Sequence, residues 1–180
     1  MIRRPPRSTQ SRSSAASDVY KRQVNYLHKI SDFKFINGTF DACQSFLKLG
    51  YKIIIITNQS GIARGYYSVN DYEKLTNWML RQFKDQGILI LDTFYCPHMP
   101  ESNCTCRKPN PGMFIKAKNK HNIDMNNSWI IGDKETDIEA AKSACVPNTI
   151  LVRSGHKIIE SESKAGFIID SIENSQSIIT

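Results

Sequence analysis

The sequence predicts a doubly wound α/β domain built on a parallel sheet, and three observations lead there. Short β-branched runs, Ile53–Ile56 foremost, alternate along the chain with stretches of helical apolar spacing. Those runs have no polar face, as expected of strands covered by helices on both sides. Polar clusters follow the runs ending at Ile56 and Ile131, which is where parallel sheets hold their ligands.

The elements follow in order from Val24. Phe40–Leu49 has apolar residues at helical spacing and stops at Gly50, a glycine suited to a helix end. Ile53–Ile56 is a buried strand running into Thr57. Asn70–Gln86 is a second helix, capped by Ser68 or Asn70 and stopped at Gly87. A strand is expected over Ile88–Tyr95 and a third helix over Pro111–His121, with proline at its start. Ser128–Gly132 is a short buried strand, Thr136–Cys145 a helix, Thr149–Val152 a strand, and Phe167–Ile169 a last or edge strand. Strands alternating with helices imply right-handed parallel crossovers.

Residues 1–23 stand apart from this pattern. They are rich in Arg and Ser, contain Pro5-Pro6 and have neither a two-residue nor a helical apolar period. A disordered tail is one reading, because such a stretch buries too little apolar surface to offset its ordering entropy. A transit peptide is a second, but it lacks the amphipathic stripe. The stretch, SAASDVYKRQ in particular, also resembles translated sequencing-adapter read-through. The globular domain is therefore expected over 24–175.

Composition narrows the function. The 180 residues, 40% hydrophobic, suffice for one domain with a sizeable core. Of the net charge of +7, residues 1–23 carry +5 and the other 157 residues only +2, so the body has no basic footprint for nucleic acid. Runs such as Ile53–Ile56 are far shorter than the roughly 20 apolar residues of a membrane span, and no signal-peptide pattern is present. A cytoplasmic location with no membrane partner is the default expectation. Disulfides are not expected there. Cys43 and Cys145 read as small buried apolar side chains, while His28, His121 and His156 show no partner in the sequence and read as surface residues.

Three clusters carry chemistry. Thr57-Asn58-Gln59-Ser60-Gly61 offers a hydroxyl, amides and backbone N–H groups suited to phosphate oxygens. Gly132-Asp133-Lys134-Glu135-Thr136-Asp137 places two acids four apart where a strand enters a helix. That suits a hard cation such as Mg²⁺, although Asp137 taken alone is also a favoured helix N-terminal acid. Arg107-Lys108-Pro109 adds two cations. Cys96, His98, Cys104 and Cys106 form a Cys₃His set suited to tetrahedral Zn²⁺. Four protein ligands leave no open position, so that metal would be structural and would pin the loop carrying Arg107 and Lys108.

Taken together, TNQSGIARGYY (57–67), YCPH (95–98), CTCRKPNPGM (104–113) and IIGDKETDIEAA (130–141) resemble the haloacid dehalogenase superfamily of phosphatases, and within it the heptose bisphosphate phosphatases. The resemblance covers roughly residues 24–170. It implies a capless, monomeric, Mg²⁺-dependent phosphatase acting on a small sugar bisphosphate. Lys108 and Arg107 would be catalytic. Thr57, Asn58, Gln59, Ser60 and Lys134 would join them in holding substrate. Asp133 would hold Mg²⁺ with Asp137 behind it, and Zn²⁺ would sit in the Cys₃His loop.

The family pattern also begins with a strand ending in a D-x-D motif, whose first Asp attacks phosphorus and whose second acts as acid and then base. No D-x-D occurs in this sequence, and Asp18 has no buried strand before it. The central strand, which would lie between those ending at Thr57 and Gly132, is therefore expected to be absent and the chain inactive as it stands. Two other functions remain open. A histidinol-phosphate phosphatase would share the zinc loop, although Gly61-Ile62-Ala63-Arg64-Gly65 resembles the heptose enzymes. A non-catalytic binding protein is the third reading, which the intact Thr57, Lys108 and Asp133 argue against.

Overall fold

The computed structural model describes residues 11–13 and 26–180. Within them are strands β1 (Ser11–Ser13), β2 (Lys52–Asn58), β3 (Ile90–Cys96), β4 (Trp129–Gly132), β5 (Asn148–Val152) and β6 (Phe167–Ile169). Helices α1 (Thr39–Lys48), α2 (Val69–Asp85), α3 (Gly112–His121) and α4 (Glu135–Ser143) alternate with them. All pairings are parallel and the sheet order is β3-β2-β1-β4-β5-β6. The chain thus winds outward in both directions from β1, and the strand order reverses between β1 and β4. That reversal opens a crevice beyond the carboxyl ends of the strands.

Alternation along the strands builds the two faces. Ile54 and Ile56 pack with Ile130 and Leu151 against Phe114 of α3 and Ile138 of α4. On the opposite face Ile53 and Ile55 pack with Leu75, Met79 and Phe83 of α2 and Cys43 of α1. Ile131, Ile150 and Val152 pack on that side with Ala42 and Phe46 of α1. A fully buried isoleucine stabilises by about 1.5–3 kcal/mol, so the two-sided burial of β2 largely fixes its place inside the sheet. Phe33, Phe35, Phe40, Trp78 and Phe83 extend this face with ring centroids 4.6–6.1 Å apart, docking the segment before α1 onto α2.

Helix ends follow the local chemistry. Ser68 caps α2 reciprocally: its Oγ accepts from Asp71 N (3.1 Å), and Asp71 Oδ2 accepts from Ser68 N (3.0 Å). This N-cap contributes about 1 kcal/mol. Gly50 and Gly87 close α1 and α2 with positive φ. Ile88 donates its N–H to Phe83 O at 2.9 Å. Ile88 therefore belongs to the stop of α2, and β3 begins two residues later than the apolar run predicts.

Two expectations are corrected. The central position of the sheet is not without a strand, because Ser11–Ser13 pairs there with Lys52–Ile54 of β2 and with Ile130 of β4. Parallel pairing uses backbone groups, and the flanking strands present rows of them. The segment's polar sequence therefore carries no strand signal of its own. Asp18 and the rest of 1–23 lie outside the described residues. Cys145, expected buried, is exposed. It occupies the left-handed position after α4 (φ +64°), where Cys145 N reaches Lys142 O and Val146 N reaches Ala141 O, both at 2.9 Å. That backbone closure turns the side chain outward while Val146 is buried.

Candidate active site

β2 ends at the crevice with Thr57 and Asn58. Thr57 is buried, and its Oγ1 accepts from Gln59 Nε2 at 3.1 Å. Gln59 Oε1 in turn accepts from the Tyr67 hydroxyl. Burial, with Tyr26 beside it, pushes Tyr67 up to about 12 and keeps that proton on oxygen. With Thr57 Oγ1 accepting from Gln59, its own proton is directed away from the amide. Gly61 permits this approach, since a Cβ there would collide with the Tyr67 ring. Gln59, predicted to hold substrate, thus has both ends of its amide engaged within the turn. Ser60 lies on the same turn, half-buried.

Asn58 clasps the loop before α3: its Nδ2 donates to Lys108 O and its Oδ1 accepts from Lys108 N, both at 3.1 Å. The Lys108 side chain is turned inward. Nζ donates to Ile56 O at 2.9 Å and pairs with Asp137 Oδ1 at 2.8 Å. Asp137 Oδ2 accepts from Lys134 N at 3.2 Å, which fixes Lys134 at the start of α4. Gly132 allows the helix to approach, because a Cβ there would strike Asp137. Arg107, the neighbour of Lys108 in sequence, does not share its place. It is half-buried and donates from Nη1 to His98 O at 3.2 Å.

Asp133 is completely buried at the end of β4. Its Oδ2 contacts His156 Nδ1, and its Oδ1 has no hydrogen-bond partner among the described residues. A buried carboxylate oxygen without a donor is costly in a protein alone. It fits a site that takes a cation from solution. The reading of His156 as a surface residue without a partner is corrected here: a loop folded back after β5 brings it to Asp133. His121 likewise meets Asp92 Oδ2 at 2.7 Å, and His28 stacks on Tyr67 with centroids 5.2 Å apart. No sequence signal marks these contacts, since each joins separate segments.

The Cys₃His set does converge. The ligand atoms of Cys96, His98, Cys104 and Cys106 all lie within 4.8 Å of one another, through Nδ1 of the histidine. Five of the separations are 3.1–3.6 Å, near the roughly 3.7 Å edge of a tetrahedron with zinc–sulfur bonds of about 2.3 Å. Burial, reinforced by the adjacent thiols, pushes Cys96 up to about 12. Burial also raises Cys104, but the Arg107 amide and the neighbouring thiols outweigh it and bring Cys104 down to about 7. The cluster is wired to the phosphate-type turn: Gln59 N donates to Cys96 O at 2.7 Å and Ala63 N to Pro97 O at 3.3 Å.

The chain is similar to known proteins in sequence and in fold. A family model described as HAD-hydrolase-like matches residues 105–175. The D-glycero-alpha-D-manno-heptose-1,7-bisphosphate 7-phosphatase of Photorhabdus laumondii is 45% identical over 154 residues, covering 82% of this chain and 84% of that one. The D-glycero-beta-D-manno-heptose-1,7-bisphosphate 7-phosphatase of Pasteurella multocida is 41% identical over 161 residues, covering 86% and 88%. In fold, the chain is similar to the heptose 1,7-bisphosphate phosphatase of B. bronchiseptica, crystallised with magnesium and phosphate. The TM-score is 0.85 at 22% identity, over 95% of this chain and 98% of that one.

Proposed function

Because this chain belongs to the heptose-1,7-bisphosphate 7-phosphatase family of the haloacid dehalogenase-type hydrolases, we propose that its site is built to remove the C7 phosphate of a D-glycero-D-manno-heptose 1,7-bisphosphate. In that reaction the bond between phosphorus and the C7 oxygen breaks, water supplies the new oxygen on phosphate, and a proton goes to the sugar oxygen. The observation that carries the reading is the tie that Lys108 and Asp137 make between the strand end before Thr57 and the strand end before Asp133. Lys108 Nζ is fixed to the carbonyl preceding Thr57 and to Asp137, and Asp137 packs on the glycine preceding Asp133.

Thr57 would donate its hydroxyl to a phosphate oxygen, with Asn58 and Ser60 bordering the same turn. Lys108 would place a fixed positive charge where charge develops on the transferring group. Gln59 would act through Thr57, whose hydroxyl it orients. Arg107 and Lys134 would border the substrate from the two adjoining loops. Asp133 would hold Mg²⁺, which when bound neutralises charge on phosphoryl oxygens. Asp137 would act through Lys108 rather than through the metal. Cys96, His98, Cys104 and Cys106 would hold a structural Zn²⁺ that keeps the Thr57–Gly65 turn in place. The proposed working form is a monomer in the cytoplasm. Among the described residues no helix is long and apolar enough to cross a membrane.

Nucleophilic attack needs a carboxylate that this sequence does not offer, since it contains no D-x-D and residues 14–18 read Ser-Ala-Ala-Ser-Asp. The chain is therefore expected to bind phosphate without turning substrate over. The test is to replace residues 1–23 with an apolar strand ending in a DRDGT-type segment and its short linker, then to measure phosphate release. Hydrolysis of heptose 1,7-bisphosphate should appear only in the replaced form. A preference for histidinol phosphate would overturn the substrate, and equal rates from both forms would overturn the account of the nucleophile.

A further inference from the structure

The contact between Asp133 and His156 lies outside the sequence motifs and has a specific construction. The loop from Arg153 to Glu160 is closed at its ends: Arg153 Nε and Nη2 donate to the Glu160 carboxylate at 2.7 and 3.0 Å, and Nη1 reaches Asp170 Oδ1 at 2.8 Å. Beyond it, Ser163 Oγ and Lys164 N donate to Glu135 in the first turn of α4, at 2.8 and 2.7 Å. These contacts hold the loop over the end of β4. Gly155 rests directly on Asp133, where a Cβ would collide with the carboxylate. The next residue sets its imidazole on Oδ2. Asp133 is fully buried whereas His156 keeps 37% of its side chain exposed, so the histidine covers the carboxylate from the solvent side.

We propose that His156 is a positioning residue that stands in for the divalent cation at Asp133, giving the buried carboxylate a donor while no metal is bound and being displaced from it when one binds. The inference rests on the proposed role of Asp133 as the cation ligand. The physical basis is the cost of a buried carboxylate without partners. Among the described residues Oδ1 has no donor, and His156 is the one that reaches Oδ2. A cation entering at Asp133 must first break the imidazole contact, so His156 lowers cation affinity while holding the carboxylate in place. The loop is the moving part: its attachments at Arg153, Glu160 and Glu135 do not involve Asp133, so the imidazole can swing outward while its two ends stay fixed.

The test is Mn²⁺ binding to the full chain, read from the loss of the free-ion electron paramagnetic resonance signal. His156→Ala should bind Mn²⁺ roughly tenfold more tightly than the parent, a difference of about 1.4 kcal/mol. It should also melt lower without metal and gain more from added Mn²⁺. His156→Gln, which keeps an N–H donor, should remain near the parent on both counts. Arg153→Ala, which frees the loop from Glu160 and Asp170 and adds no atom at Asp133, should also bind Mn²⁺ more tightly than the parent and serves if His156→Ala folds poorly. Weaker Mn²⁺ binding in His156→Ala would make the histidine a metal ligand and overturn the inference, as would unchanged binding in both loop variants. Binding that is absent from the parent and every variant, or unaltered by Asp133→Asn, would instead remove the cation role of Asp133. The substrate reading is tested separately by phosphate release from the strand-replaced chain.

Discussion

Lys108 Nζ lies 2.8 Å from Asp137 Oδ1, with only 4% and 2% of the two side chains exposed. The pair joins the loop leaving the Cys₃His cluster to the first turn of α4. It also brings the lysine against a carbonyl near the end of β2, Ile56 O. Asp137 has a second task, since its other oxygen receives the Lys134 amide at the start of the helix. One carboxylate thus secures a helix end and orients the charge proposed to meet the phosphate.

Breaking that pair on one side should be costly, because the remaining charge stays buried. Asp137→Asn is expected to lower stability by about 3–5 kcal/mol, measured by urea denaturation at neutral pH. The double variant Lys108→Met with Asp137→Leu should recover much of the loss, since neither charge then remains. A loss under about 1 kcal/mol in the single variant would show the pair to be solvated rather than buried.

In the strand-replaced enzyme, Lys108→Ala should reduce turnover about 10²-fold or more, the scale of removing one stabiliser of transition-state charge. Steady-state rates with heptose bisphosphate decide this. An unchanged kcat would remove Lys108 from the chemistry.

Metal analysis of the purified chain should find one zinc per molecule. Cys104→Ser or a strong chelator should abolish it and lower the melting temperature, because metal binding in such loops is coupled to their folding. The Thr57–Gly65 turn should loosen at the same time, since it hangs from Cys96 O and Pro97 O. Zinc-free protein with the same melting temperature and freely titrating thiols would reject this.

Tyr67→Phe deletes the donor to Gln59 Oε1 and leaves a buried amide oxygen unpaired. A loss of about 1–3 kcal/mol is expected, together with weaker binding of inorganic phosphate followed by calorimetry. If only stability falls, the chain from Tyr67 through Gln59 to Thr57 is structural and does not orient the hydroxyl.

Asp92 supplies a pH dependence. Burial alone would raise its pKa, but hydrogen bonds from Lys120 and His121, and from the Thr93 amide, outweigh it and hold the carboxyl below its ordinary value. A carboxyl depressed in the folded state contributes stability above its unfolded pKa and loses it as pH falls through the folded one. Asp92→Asn should therefore flatten the acid limb of the stability curve and leave less difference between variant and parent at low pH. A gap that stays constant with pH would assign the effect to packing.

The order of strands and helices was legible in the sequence because it rests on short-range periodicity. Gly50 and Gly87 marked helix ends for a similar reason, since their backbone conformations are local. Ile88 was misplaced because an apolar residue closing a helix and one opening a strand look alike in sequence. Ser11–Ser13 gave no signal because its place depends on the backbone edges of β2 and β4 rather than on its own side chains.

Residue spacing alone pointed to the Cys₃His cluster, because its ligands stand so near one another along the chain that one loop can bring them together. It also determined the element order and the polar residues that follow each buried strand, because strand ends in a parallel sheet converge on one edge. Which of those residues touch was settled by the packed fold. It turned Lys108 inward to Asp137 while Arg107 stayed with His98, spent the Gln59 amide on Thr57 and Tyr67, and folded His156 back onto Asp133. Spacing along a chain constrains neighbours within a turn or a loop. Contacts between distant segments are selected by packing and by the cost of unpaired buried charge, and neither is written at any one position.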